Sequence, residues 1–238
     1  MARILLIHGA WGNATSWTAI TPMLTRAGHQ VEALNLPGHG KDAQPSGEIG
    51  QADYVNYVEE RLMDGPPAML VGHSMGGIVI AQVAARQPAQ TKAAIFVTAL
   101  LPRDGESLLD LVKRQDAPGV QPYVTHGPVP GTTLLTEGAA EALFPEASPA
   151  MAAKALAAMS PQSNKAQKEK ALVGPGLSRV PKAYVHCAQD RVVTPDLQNA
   201  MVAATPCDAS FLIDGGHVPM LTHPHELAEI LLGLAAQV

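Results

Sequence analysis

The sequence predicts an α/β protein with a doubly wound, mostly parallel sheet of about six strands and an inserted helical cap. Two observations support this prediction. Short apolar runs alternate with longer amphipathic runs over residues 4–97, and again over residues 182–236. Between them, residues 103–178 are rich in proline and carry only short helical patterns. We therefore expect a core of residues 1–102 and 179–238 and a cap of residues 103–178.

Each element is predicted from its periodicity and its flanking residues. The strand runs are short, aliphatic or β-branched, whereas the helical runs repeat apolar residues every three or four positions. The predicted strands are residues 4–7, 31–34, 68–71, 93–97, 182–187 and 210–213. The predicted core helices are residues 15–27, 52–62, 75–86, 195–203 and about 225–236, and the cap helices lie near 107–114, 138–143 and 149–159.

Composition restricts the classes of function. The 238 residues are 47% hydrophobic and 16% charged, which is typical of one compact α/β domain with an insertion and excludes a disordered chain. The net charge of −5 comes without a run of basic residues, which argues against nucleic-acid or anionic-membrane partners. The densest basic patch, Lys165 to Lys170, is interrupted by Glu169 and is typical of a solvated helix end.

Targeting signals are not evident in the sequence. The apolar run at residues 4–7 is too short for a signal peptide, and no run approaches the length of a spanning helix. We therefore expect a cytoplasmic protein. Cys187 and Cys207 are the only cysteines and lack C-x-x-C spacing, so we expect both to be reduced and structural. The oligomeric state is left open, with a homodimer as one option.

The motif Gly72-His73-Ser74-Met75-Gly76 lies between a predicted strand and a predicted helix. A G-x-S-x-G motif in this context predicts a nucleophile elbow, a sharp turn that exposes the serine hydroxyl. The glycines are needed because the turn brings strand and helix backbones close together. The Met75 N–H lies at the helix N-terminus, where it can stabilise an oxyanion.

A serine nucleophile needs an imidazole base and a carboxylate that orients it. His217 follows the predicted strand at residues 210–213, behind two glycines that allow its loop to bend over the sheet. Asp190 follows the strand that ends at Cys187, whereas its competitor Asp214 lies only three residues before His217. The loop after the strand at 93–97 carries no acid. The order Ser74, Asp190, His217 is that of α/β-hydrolases.

Three motifs carry a more specific resemblance: Ile7-His8-Gly9-Ala10-Trp11-Gly12, Gly72-His73-Ser74-Met75-Gly76-Gly77 and Gly216-His217-Val218-Pro219-Met220-Leu221. Together they resemble the plant methylesterase and hydroxynitrile lyase branch of the α/β-hydrolase fold. The resemblance covers roughly residues 1–100 and 180–238 and is looser in the cap. It implies that the N–H of Ala10 supplies the second oxyanion donor.

These observations predict a serine carboxylic-ester hydrolase that acts on a small or medium, largely apolar ester without a cofactor or metal. Trp11, His73, Phe144 and Val218 are candidate pocket residues, of which His73 is expected in the site wall, pointing away from Ser74.

Two alternatives remain open: a hydroxynitrile lyase of the same branch and a ligand-binding member with low turnover. A metal hydrolase using His217, His223 and His225 is disfavoured because no H-E-x-x-H motif accompanies them.

Overall fold

A computed structural model describes residues 1–41 and 43–237. Its nine strands form two sheets, one central and one small. In chain order the strands are β1 (Arg3–Ile7), β2 (Gln30–Leu34), β3 (Ala68–His73), β4 (Thr91–Val97), β5 (Val124–His126), β6 (Thr132–Leu135), β7 (Gln162–Ser163), β8 (Lys182–Cys187) and β9 (Ala209–Ile213).

The central sheet contains six strands in the order β2-β1-β3-β4-β8-β9, and every neighbouring pair is parallel. This confirms the predicted fold class. The chain runs outward from β1 to β2 and then continues on the other side of β1 with β3. Loops at the carboxyl ends of β1 and β3 therefore flank a crevice at this switch point, which is where parallel α/β sheets bind their ligands.

Helices cover both faces of the central sheet. The helices are α1 (Ile20–Arg26), α2 (Gln51–Met63), α3 (Gly76–Arg86), α4 (Leu108–Val112), α5 (Ala140–Leu143), α6 (Pro149–Ala157), α7 (Asn164–Lys168), α8 (Pro195–Ala204), α9 (Pro219–Thr222) and α10 (Pro224–Ala235). Because side chains of a strand alternate between faces, Leu5 and Ile7 pack toward α2, α3 and α8, whereas Ile4 and Leu6 pack toward α1 and α10.

The first predicted helix is interrupted. Residues 15–27 form a 3-10 turn at Ala14–Trp17 followed by α1 at Ile20–Arg26. Pro22 explains the break, because its ring would collide with the carbonyl four residues earlier in a continuous helix. The other core helices begin and end within about two residues of the predicted bounds.

The segment between β4 and β8 is not purely helical as predicted. It contains short helices and an antiparallel sheet of β5, β6 and β7. The turn between β5 and β6 uses Gly131 at a φ of 77°, and the Gly127 N–H donates to the Thr132 carbonyl over 2.9 Å. β-branched Thr132 and Thr133 after this turn favour a strand. The division into a core of residues 1–102 and 179–238 and a cap of residues 103–178 stays a prediction.

Within residues 1–41 and 43–237, no helix combines the length and apolar character needed to cross a membrane. Cys187 and Cys207 are both free thiols. Burial raises the pKa of each thiol above its ordinary value, to about 11 for Cys207. Both side chains are therefore weakly nucleophilic at neutral pH.

Candidate active site

Ser74 lies at the sharp turn between β3 and α3. Its φ of 51° is in the left-handed region, which a serine adopts only where the surrounding structure imposes it. The flanking glycines have no room for a side chain: a Cβ on Gly72 would lie 2.6 Å from the Gly76 carbonyl oxygen, and one on Gly76 would lie 2.7 Å from the Ile7 carbonyl oxygen. The predicted elbow geometry is therefore present, and the Ser74 side chain is partly accessible.

His217 lies in the loop after β9 and reaches back over the sheet to Ser74. Its Nε2 is 3.0 Å from the Ser74 Oγ, and its Nδ1 is 2.7 Å from the Asp190 Oδ2. The imidazole and the carboxylate are both buried. When His217 is neutral, the carboxylate favours the proton on Nδ1, which leaves the Nε2 lone pair facing the serine hydroxyl.

The Asp190 carboxylate accepts hydrogen bonds from four donors, one of which is the His217 Nδ1 described above. The N–H groups of Val192 and Val193 donate to Oδ1 over 2.7 and 2.9 Å. The Thr98 hydroxyl donates to Oδ2, the oxygen that also faces His217. These contacts fix the plane of the carboxylate. Thr98 was not among the predicted site residues, although it follows β4 and so lies at the same sheet edge.

The competing acid, Asp214, does not contact His217. It is exposed, and its Oδ1 accepts a hydrogen bond from the Gln189 side chain over 3.0 Å. The Nδ1 of His223 lies 2.9 Å from the Thr222 hydroxyl. Among the described residues, no group of three histidine, cysteine, aspartate or glutamate side chains has the spacing of a metal site.

Two backbone N–H groups flank the nucleophile. Met75 is the N-cap of α3, and Ala10 follows β1 in the loop that Gly9 begins. Neither N–H donates to another group within residues 1–41 and 43–237. Gly9 packs directly against Ser74, because a Cβ on Gly9 would lie 2.8 Å from the Ser74 Cβ. This close approach brings the loop after β1 directly against Ser74.

His73 packs against His217. It is 6% exposed, and its Nε2 lies 2.8 Å from the His217 carbonyl oxygen, to which it donates. Burial and the neighbouring His217 lower the pKa of His73 to about 3. His73 therefore stays neutral near pH 7 and supports the His217 backbone from behind.

An apolar cluster joins the loop after β1 to the segment between β4 and β8. Trp11 and Phe144 are buried in it, and Val218 packs against it. The Trp11 indole N–H donates to the Thr133 hydroxyl over 3.3 Å. Beside this cluster a cleft of about 350 Å³ opens next to Asp190. Its lining includes Pro118, Tyr123, Glu141, Asp190, Arg191 and Thr194.

Two further polar residues, which were not among the predicted site residues, contact the site loops. The Glu146 carboxylate accepts a hydrogen bond from the Gly216 N–H, one residue before His217. The buried Gln162 side chain accepts one from the Trp11 N–H over 3.4 Å, one residue after Ala10. Both residues belong to the segment between β4 and β8, so this segment is hydrogen-bonded to the loops on both sides of Ser74.

The model of the alpha/beta hydrolase family matches residues 4–230. The chain belongs to this family. It is 27% identical to methyl jasmonate esterase 1 of Vitis vinifera, covering 96% of this chain and 95% of the relative. It is 29% identical to the (S)-hydroxynitrile lyase of Manihot esculenta, covering 98% and 97%.

Solved structures also share the fold. Polyneuridine aldehyde esterase matches with a TM-score of 0.85 at 24% identity, covering 98% of this chain and 99% of that chain. A pyrethroid hydrolase of Sphingobium faniae matches with a TM-score of 0.86 at 22% identity, covering 99% and 97%. The relatives confirm the predicted branch of the family and support the predicted ester-hydrolase function.

Proposed function

We propose that this protein is a serine carboxylic-ester hydrolase that works through an acyl-Ser74 intermediate. The observation that carries the proposal is the hydrogen-bonded series from the Ser74 Oγ through His217 to Asp190. In this series the His217 imidazole lies between the Ser74 hydroxyl and the buried Asp190 carboxylate, as serine acyl transfer requires.

In the acylation step the Ser74 Oγ attacks the ester carbonyl carbon, and its proton passes to the His217 Nε2. The carbonyl oxygen becomes an oxyanion and accepts hydrogen bonds from the N–H groups of Ala10 and Met75. The C–O bond to the alcohol then breaks, and the alcohol oxygen takes the proton from His217. Asp190 stabilises the imidazolium formed between these events without becoming protonated.

In the deacylation step water replaces the alcohol. His217 removes a proton from the water, whose oxygen attacks the acyl carbon bound to Ser74. The second oxyanion collapses, Ser74 recovers its proton from His217, and the carboxylic acid leaves. These steps balance without a cofactor or a metal ion.

The apolar cluster around Trp11, Phe144 and Val218 supports a neutral, largely apolar ester as the substrate. The names of the relatives, a methyl jasmonate esterase and a pyrethroid hydrolase, are consistent with this class. The cytoplasmic location and the homodimeric state stay predictions. Light scattering of the purified protein tests the homodimer.

A hydroxynitrile lyase is the second candidate, because one of the relatives carries that activity in its name. The lyases of this branch resemble each other in a threonine at the position of Gly9 and a lysine at the position of Val218. A lysine ammonium would stabilise the departing cyanide, and Val218 supplies no charge. We therefore favour hydrolysis over cyanide release.

The test is a panel of short aryl, alkyl and methyl esters together with mandelonitrile. We expect ester hydrolysis by the wild type, and a fall in kcat of roughly 10³- to 10⁶-fold for Ser74→Ala and Asp190→Asn. Asp214→Asn is the matched control and should keep nearly full activity. Ser74-dependent cyanide release faster than ester hydrolysis would favour the lyase. Undetectable turnover of every ester would favour a binding protein.

A further inference from the structure

His8 is a buried histidine at the end of β1 that has no part in the proton transfers. Its side chain has no solvent exposure, and both ring nitrogens are used. Nδ1 lies 2.8 Å from the Gly9 carbonyl oxygen, and Nε2 accepts a hydrogen bond from the Leu36 N–H over 3.1 Å. The His8 ring therefore lies between a hydrogen-bond acceptor, the Gly9 carbonyl oxygen, and a hydrogen-bond donor, the Leu36 N–H.

These two contacts determine the tautomer of His8. The Leu36 backbone can only donate, so the Nε2 that faces it must carry a lone pair. A neutral imidazole then holds its proton on Nδ1, where it donates to the Gly9 carbonyl oxygen. If Nε2 carried a proton, its N–H would face the Leu36 N–H, and two donors would meet without an acceptor. Burial, with His39 and His73 nearby, also lowers the pKa of His8 well below its ordinary value.

The Gly9 carbonyl belongs to the same peptide unit as the Ala10 N–H. In a trans peptide the two groups point in opposite directions in one plane. The Gly9 oxygen accepts hydrogen bonds from His8 Nδ1 and from the Gly12 N–H, the latter over 3.1 Å. Fixing this oxygen fixes the direction of the Ala10 N–H. Hydrogen bonds to an amide oxygen also polarise the N–H of that amide and make it a stronger donor.

We propose that His8 is a positioning residue that aims and polarises the Ala10 N–H for the oxyanion. The proposal rests on the proposed function for the role of that N–H. His8 acts through the Gly9 peptide and does not touch the substrate. Its effect is therefore expected in the transition state, where the oxyanion forms, and not in substrate binding.

Two substitutions separate the two contacts of His8. In His8→Asn the amide nitrogen takes the place of Nδ1, so the donor to Gly9 is kept and the acceptor for Leu36 is lost. In His8→Gln the longer side chain places its oxygen near the position of Nε2, so the acceptor is kept and the donor is lost. Both variants remove one buried hydrogen bond, and urea denaturation measures their comparable loss of stability.

We expect His8→Gln to lower kcat by roughly 10- to 100-fold with KM within about threefold, because a misaimed donor loses part of the effect of an oxyanion-hole donor. His8→Asn should stay within about fivefold of the wild type in kcat. An aryl trifluoromethyl ketone, which forms a tetrahedral adduct with Ser74, should bind His8→Gln more weakly by a factor similar to the fall in kcat/KM.

Equal losses of kcat in both variants, or a loss confined to KM, would overturn the proposal. Nitrogen-15 NMR of the histidine rings gives a test that does not depend on turnover, since it reports the tautomer directly. A proton on Nε2 of His8 would overturn the proposal even if every ester is hydrolysed. Failure of the proposed function would appear separately, as wild-type inactivity or as retained hydrolysis in Ser74→Ala.

Discussion

Lowering the pH should destabilise this protein through its buried histidines. His8, His39 and His73 are nearly inaccessible to solvent, and burial is the main cause that lowers the pKa of each below the ordinary value of 6.5. In the unfolded chain these side chains bind protons as the pH falls below about 6.5, whereas in the folded protein they stay neutral. The stability is therefore complete above about pH 6.5 and decreases as the pH falls below that value.

The magnitude follows from the size of each shift. For His73, whose pKa is lowered to about 3, the free energy of unfolding should fall by about 1.4 kcal/mol between about pH 7.5 and pH 5.5. His8 and His39, whose pKa values are also lowered by burial, should add to this decrease. Even the contribution of His73 alone is a noticeable part of the about 5–15 kcal/mol that stabilises a typical domain.

The assay is urea denaturation followed by circular dichroism at several pH values between about 5.5 and 7.5, above the range in which most carboxylates titrate. In His8→Asn the decrease should be smaller than in the wild type, because one proton-binding group is removed. The matched control is His126→Asn, which changes an exposed histidine. Its free energy of unfolding should fall with pH as much as that of the wild type. A stability that does not change with pH, or the same slope in His8→Asn, would refute the reasoning.

Three further outcomes are expected from single substitutions. Gly9→Thr should lower ester hydrolysis by at least about 100-fold in a steady-state assay, because a Cβ there would lie 2.8 Å from the Ser74 Cβ. Thr98→Val should lower kcat by about tenfold and leave KM unchanged, since Asp190 loses a donor, and Thr98→Ser should restore the rate. Gln162→Met should lower the free energy of unfolding by about 2–4 kcal/mol in urea, because buried partners lose their bonds; a change under about 1 kcal/mol would contradict this estimate.

The central sheet was predictable because its strands are short, apolar and bounded by glycine or proline. Each predicted strand lies within the observed one, from β1 (Arg3–Ile7) to β9 (Ala209–Ile213). The small sheet was missed because β5 and β7 have only three and two residues. Such strands are too short for an alternating pattern to be recognised. The turn residues from Gly127 to Gly131 were the available signal.

The juxtaposition of Ser74, Asp190 and His217 was predictable because chain order and strand ends place them at one sheet edge. The supporting contacts were not, because they depend on side-chain direction and long-range packing. Thr98 reaches Asp190 across a sequence separation of 92 residues. The hydrogen bond from His73 to the His217 carbonyl oxygen likewise joins residues that lie 144 positions apart in the sequence.

The order of the strands has a consequence for synthesis of the protein on the ribosome. The first four strands, which end at Val97, pair only with one another except where β4 later receives β8. This half of the sheet carries Ser74, Ala10 and Met75, and the ribosome synthesises it before the rest of the domain. Asp190 and His217, the proposed acid and base, follow β8 and β9 and are synthesised later. In the proposed mechanism, a nascent chain therefore carries Ser74 without its activating base until β8 and β9 have been synthesised.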